Sequence, residues 1–157
     1  MKVIQALPRM PKPVTEDEVV DFLESRLNMQ LATIDKDGYP VIHPLWFLYD
    51  KETGKIYTGT NKMSRKVDNI KKSPDRIYFS IDDEKSPPKG VKGRGIGSLS
   101  LDIAKNIEIM EKLNRKYLGT DEHPLARTLM ESARKGTEIV IEIKPSFFSA
   151  WDFGKGT

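Results

Sequence analysis

Apolar positions change their period along the chain, and the changes divide it into elements. Val19, Phe22, Leu23 and Leu27 recur at helical spacing behind Thr15-Glu16-Asp17-Glu18. Thr15 can cap the free amides and Glu18 can reach back to it, so a helix is predicted from there to about Asn28. From Gln30 the pattern becomes that of strands. Leu31–Ile34 is one, Asp35-Lys36-Asp37-Gly38 a turn, and Tyr39–Tyr49 a second, nearly all apolar. Asp50–Gly54 turns again into a third strand, Lys55–Thr60, and the three make an antiparallel meander. Met63, Val67 and Ile70 predict a short basic helix over 62–72, stopped by Pro74. Strands follow at Arg76–Asp82 and Gly90–Leu101. Helices are predicted at Asp102–Leu118 and His123–Lys135, with Gly136 just past the end of the second. Thr137–Lys144 alternates cleanly, and Phe147–Phe153 is a last short strand. So many strands with few helices predict a mainly β protein that closes into a barrel or sandwich.

The chain has 157 residues, which predicts a single domain over 1–157, with 1–14 a proline-broken extended arm. That arm has no apolar core of the kind a signal peptide needs, and no apolar run approaches a membrane span. There is no Cys, which excludes disulfides, thiolate metal sites and a cysteine nucleophile, and fits a cytoplasmic setting. The formal net charge of +3 suits an anionic small molecule as well as nucleic acid and does not decide between them. The basic helix (Lys62, Arg65, Lys66, Lys71, Lys72) is interrupted by Asp68 and followed by Asp75, without the interleaved aromatics that stack on bases. No nucleic-acid partner is expected.

One stretch concentrates chemistry. In Ile56-Tyr57-Thr58-Gly59-Thr60-Asn61-Lys62-Met63-Ser64-Arg65-Lys66, a strand ends in hydroxyl residues and a helix begins with a hydroxyl and two cations. Free amides, a hydroxyl and positive charge are what a phosphate needs; a capping serine beside solvated cations is the plainer alternative. His43 lies in an apolar strand, either as a hydrogen-bonded core histidine or as a polar handle at a ring edge. Trp46 and Trp151 are core or interface aromatics, or stack on a planar ligand. Gly90, Gly93, Gly95 and Gly97 lack the βαβ context of a dinucleotide fingerprint and instead mark close backbone approach. Asp82-Asp83-Glu84 is read as a solvated turn, and His123 as a helix start, not a metal ligand. No Ser-His-Asp set or paired-carboxylate signature stands out.

The order and spacing of several features resemble the pyridoxamine 5′-phosphate oxidase family of the FMN-binding split-barrel superfamily. They are Asp37-Gly38-Tyr39-Pro40 with its apolar strand, Tyr49-Asp50, the Gly54 turn, Tyr57-Thr58, Ser64-Arg65-Lys66, Ser73-Pro74 and Lys92-Gly93-Arg94-Gly95. The likeness spans roughly 15–152. It implies a six-stranded antiparallel split barrel and a homodimer with cofactor sites at its interface. By the same resemblance, Ser64, Arg65 and Lys66 hold the FMN phosphate, with Thr60 a further partner. Tyr57 and Thr58 lie beside the flavin, and the backbone of His43, Pro44, Leu45 and Trp46 lines its ring. Trp151 can cross to the partner subunit's flavin. The chain departs from the oxidase pattern where that pattern has an Arg, here Ile42-His43, and a later Lys, here Phe47. It also lacks the basic C-terminal signature. The shorter divergent branch, which uses FMN or a deazaflavin, is the closer likeness. The expected function is a flavin-dependent oxidoreductase acting on a small organic substrate. The alternative is a binding or sensor protein for FMN, a deazaflavin or haem.

Overall fold

The computed structural model describes residues 1–156. Helix α1, Glu16–Leu23, opens with the capping box: the Glu18 amide donates to Thr15 Oγ1 at 3.3 Å, and the Thr15 amide to Glu18 Oε2 at 2.8 Å. It stops short of Asn28. Leu27 leaves the helix, packs against the core, and its carbonyl accepts the Tyr117 hydroxyl proton at 2.7 Å. The remaining elements are β1 (Val3–Gln5), β2 (Met29–Ile34), β3 (Pro40–Leu45), β4 (Leu48–Asp50), β5 (Lys55–Asn61), α2 (Arg65–Lys72), β6 (Ile77–Asp83), β7 (Lys89–Ser100), α3 (Ile103–Leu118), α4 (Pro124–Arg134), β8 (Glu138–Pro145) and β9 (Phe148–Asp152).

The sheet runs β3-β2-β6-β7-β8-β5-β4, with β9 on β7 and β1 on β9. All pairings are antiparallel except β1 with β9. The two ends of the path, β3 and β4, are consecutive in the chain, so the sheet curls round on itself. It has nine strands, not six. The expected strand Tyr39–Tyr49 is broken at Trp46-Phe47, and β9 and β1 add to the edge of the ring.

The break has a definite cause. Phe47 is fully buried in the barrel interior. Its amide donates to Tyr117 Oη at 3.1 Å and its carbonyl accepts from Lys116 Nζ at 2.8 Å, so α3 takes the hydrogen bonds that a ladder would have used. The Lys116 ammonium lies 3.8 Å from the Phe47 ring centroid. Burial lowers its pKa to about 8 and raises that of Tyr117 to about 12.

Two apolar clusters result. The barrel interior holds Leu31, Phe47, Ile56, Phe79, Ile141 and Phe148 among others. The opposite face of β5 and β8, with Tyr57 and Val140, is covered by α3 and α4 through Ile109, Met110, Leu113 and Met130. Alternation along β8 sorts its residues between the two: Ile139, Ile141 and Ile143 are buried on one side, Glu138, Val140 and Glu142 lie on the other. Glu142 pairs there with Lys55 at 3.2 Å and with Lys105. Glycines in β7 admit close neighbours, as expected. A Cβ on Gly90 would lie 2.5 Å from the Trp151 ring, and one on Gly93 would strike the Phe147 carbonyl. His123 is a helix start: its Nδ1 accepts from the Leu125 amide at 3.1 Å and caps α4.

Candidate functional site

The barrel is open on one side. β4 pairs with β5 only through Leu48–Asp50 and Lys55–Tyr57, while β3 pairs with β2 alone. Beyond Tyr57, residues 58–61 of β5 therefore have no partner strand on the side where the chain leaves β3. The split lies between the end of β3 and this free edge of β5.

Side chains from both margins meet there. Thr60 is buried near the end of β5, and its Oγ1 lies 3.0 Å from Ser64 Oγ. Lys66 Nζ donates to the same Thr60 Oγ1 at 3.2 Å. Asn61 folds the connection: its Oδ1 accepts from the Met63 amide at 2.9 Å, its carbonyl from Ser64, so α2 starts at Arg65 rather than at 62. Ser64 occupies the N-cap position, yet its side chain makes no capping bond. The hydroxyl is turned to Thr60 instead, leaving the helix's first amides uncapped. Lys66 is half-buried, and desolvation lowers its pKa. Among the described residues it has no carboxylate within ion-pair distance. A half-buried cation with no carboxylate in ion-pair range, beside two hydroxyls and a bare helix start, gathers the kinds of group that an anion needs.

His43 joins from β3. Its Nε2 is 3.0 Å from Thr33 Oγ1, which accepts from Asn69 Nδ2 at 2.9 Å and so has its own proton for the imidazole. Burial and the nearby Lys66 charge both lower the His43 pKa. Because the folded pKa lies below the unfolded one, the unfolded chain takes up the proton first as pH falls. His43 therefore contributes stability that is complete above the unfolded value of about 6.5 and is lost as pH drops through the folded one. Melting temperatures of the wild type should fall more steeply from pH 7 to 5 than those of His43→Gln; parallel curves would refute a neutral His43.

Next to the anion site lies a cavity of about 250 Å³ lined by Pro44, Leu45, Trp46, Gly59, Met110 and Glu138, with Leu113 and Leu129 behind. Trp46 stacks on Tyr117 with ring centroids 4.8 Å apart and planes within 2°. Of the residues expected from the sequence, the structure thus brings together His43, Thr60, Ser64 and Lys66, and sets Pro44, Leu45 and Trp46 beside them. Tyr57 does not face the split; it is buried under α3, with the Lys105 ammonium 5.6 Å from its ring centroid. Thr58 is buried on the interior side, its hydroxyl without a partner among the described residues. Arg65 is exposed. Trp151 lines a separate cleft with Phe22, Lys89 and Gly90. Thr33, Asn69, Gly59 and Glu138 were not singled out from the sequence. The buried Thr33 shares the alternation of β2, but nothing local links Glu138 to Lys66.

Among solved structures, the chain is similar to a conserved hypothetical protein, Rv2991, from Mycobacterium tuberculosis, with a TM-score of 0.79 and 22% identity over 94% of this chain and 90% of that one. An F420 reductase aligns with a TM-score of 0.69 and 28% identity over 87% and 98%. HutZ, the haem storage protein of Vibrio cholerae, aligns with 0.65 and 14% over 87% and 93%. No curated protein matches the chain. No helix among the described residues is long and apolar enough to cross a membrane. The family model of pyridoxamine 5′-phosphate oxidase matches residues 15–152, which takes in both margins of the split, and the chain belongs to that family.

Proposed function

We propose that the protein binds a phosphorylated flavin, FMN or its deazaflavin counterpart, in the split between β3 and β5, and uses it to oxidise or reduce a small organic substrate. The observation that carries this reading is Lys66, a half-buried cation beside Thr60, Ser64 and an uncapped helix start. These groups would hold the phosphate, with Arg65 adding charge from the rim. Backbone groups at the end of β3, with Trp46, would orient and shield the ring. A bound flavin supplies hydride transfer. The chain's task is to place the ring, exclude water and present His43, oriented by Thr33, near the phosphate end.

Two structural relatives agree with a flavin, while HutZ agrees with the haem alternative. One is an F420 reductase and another a FAD-binding protein from Mesorhizobium loti. Titrating purified protein with FMN, the deazaflavin and haem decides among them by absorbance. Saturable flavin or deazaflavin binding with reversible reduction is the expected result; a Soret band alone would overturn it.

The cofactor site is proposed to be completed by a second copy of the chain. The large apolar groups at Trp46 and Phe47 do not offer the contact surface, since Phe47 fills the barrel and Trp46 stacks on Tyr117. The uncovered apolar surface lies elsewhere. Ile42, Ala32 and Tyr78 form one row across β3, β2 and β6, with Ile42 66% exposed.

Pyridoxine phosphate is expected to be a poor substrate. The strand position where the oxidase has a cation carries Phe47, fully buried. Lys155 is occupied by Glu18 and the Pro13 carbonyl. Two absent charge-assisted contacts at about 1.5–3 kcal/mol each amount to a factor of hundreds or more. Oxygen-coupled turnover by flavin-loaded protein at the rate of a genuine oxidase would refute this.

A further inference from the structure

We propose that the cavity beside the split is a recognition pocket for a small planar molecule bearing a protonated nitrogen, and that Glu138 selects it. This deepens the flavin reading, on which it rests only for the identity of the neighbouring groove.

Glu138 opens β8 on the face that Val140 and Glu142 share. It is half-buried, and among the described residues its carboxylate accepts no hydrogen bond and forms no ion pair. Glu142, two positions along the same face, has two lysines. The contrast matters because a carboxylate withdrawn from water without donors is costly. A Cβ on Gly59 would stand 2.5 Å from Met110 Sδ and 3.2 Å from Glu138 Oε1, so the bare backbone there lets both side chains pack against β5, where both line the cavity. The remaining walls are apolar: Met110, Leu113 and Leu129 from the two helices, Trp46 from the end of β3.

A neutral apolar ligand would leave Glu138 unpaired. An anionic one would add repulsion. A flat ring with an ammonium, amidinium or protonated heterocyclic nitrogen satisfies every wall, with its charge on Glu138 and its face against Trp46 or the methionine. Burial raises the Glu138 pKa, and Lys66 is the opposing charge whose field works against that rise. Once an anion neutralises Lys66, Glu138 has no counter-charge but the ligand. Occupancy of the two sites should therefore reinforce each other.

The test uses three isosteric probes, benzamidine, benzamide and benzoate, titrated calorimetrically into the wild type at pH 8 with and without saturating FMN. Benzamidine should bind at least tenfold tighter than benzamide, benzoate more weakly still, and FMN should strengthen benzamidine. Glu138→Gln should weaken benzamidine roughly ten- to hundredfold, the scale of a charge-assisted hydrogen bond, and leave benzamide within about threefold. Leu129→Phe, which fills the cavity, should weaken all the probes that bind. Should Glu138→Gln fail to fold, the ranking of the three probes on the wild type still decides. Benzoate binding as tightly as benzamidine, an unaffected Glu138→Gln, or competition between FMN and benzamidine would each overturn the proposal, the last by making the cavity the seat of the flavin ring. If FMN fails to bind while the probe ranking holds, the cofactor reading falls and the pocket stands.

Discussion

Replacing Lys66 by Met should weaken FMN roughly ten- to hundredfold and riboflavin hardly at all. The substitution keeps the aliphatic stem and removes the charge. A direct ammonium–phosphate bond contributes about 1.5–3 kcal/mol, which is that factor in affinity. Desolvation of the half-buried ammonium opposes folding in the free protein. Lys66→Met should therefore melt no lower than the wild type without ligand, although Thr60 loses a donor. Fluorescence titration with both ligands measures the difference. Equal losses for FMN and riboflavin would place the phosphate elsewhere.

Phe47→Ala is expected to be the most damaging single truncation near the site. The ring is fully buried among the barrel residues and carries the Lys116 ammonium on its face. Phe→Ala in a packed core costs about 3–5 kcal/mol. At roughly 2–4 °C per kcal/mol for a chain of this size, the melting temperature should fall by about 6–20 °C. Flavin affinity should fall as well, because Phe47 anchors the break that carries Trp46 into the cavity wall. Urea unfolding that gives a loss below about 1 kcal/mol would show that the site collapses around the missing ring.

The elements were largely legible because their signals are local. The capping box of α1, the Gly38 and Gly54 turns and the alternation of β8 all report short-range chemistry, and both glycines adopt positive φ in the structure. The break at Trp46-Phe47 was not legible, since its cause is Tyr117 and Lys116 on a helix seventy positions away. The position of Leu27 beyond α1 was equally hidden, since its carbonyl is held by Tyr117. The cluster of Thr60, Ser64 and Lys66 was readable because the three lie within one turn and one helix start. Tyr57 and Thr58 lie on opposite faces of β5 for a simple reason: side chains alternate along a strand. Glu138 was invisible because only the pairing of β8 with β5 sets it beside Gly59.

The seam between β1 and β9 has a kinetic consequence. Val3 pairs with Phe148 and Gln5 with Ala150, joining segments that lie nearly the whole chain apart. Closing so long a loop costs entropy that no neighbouring contact has repaid beforehand, so this seam should form after the barrel and open before it. Gln5 also ties the arm down, donating to the Val14 carbonyl at 3.1 Å and accepting from its amide at 3.0 Å. When the arm lifts, β9 becomes a bare edge with Phe148 and Ala150 beneath it, able to template another chain. Hydrogen exchange at the Phe148 and Ala6 amides, both bonded across the seam, would therefore report the first step toward aggregation well before the barrel itself unfolds.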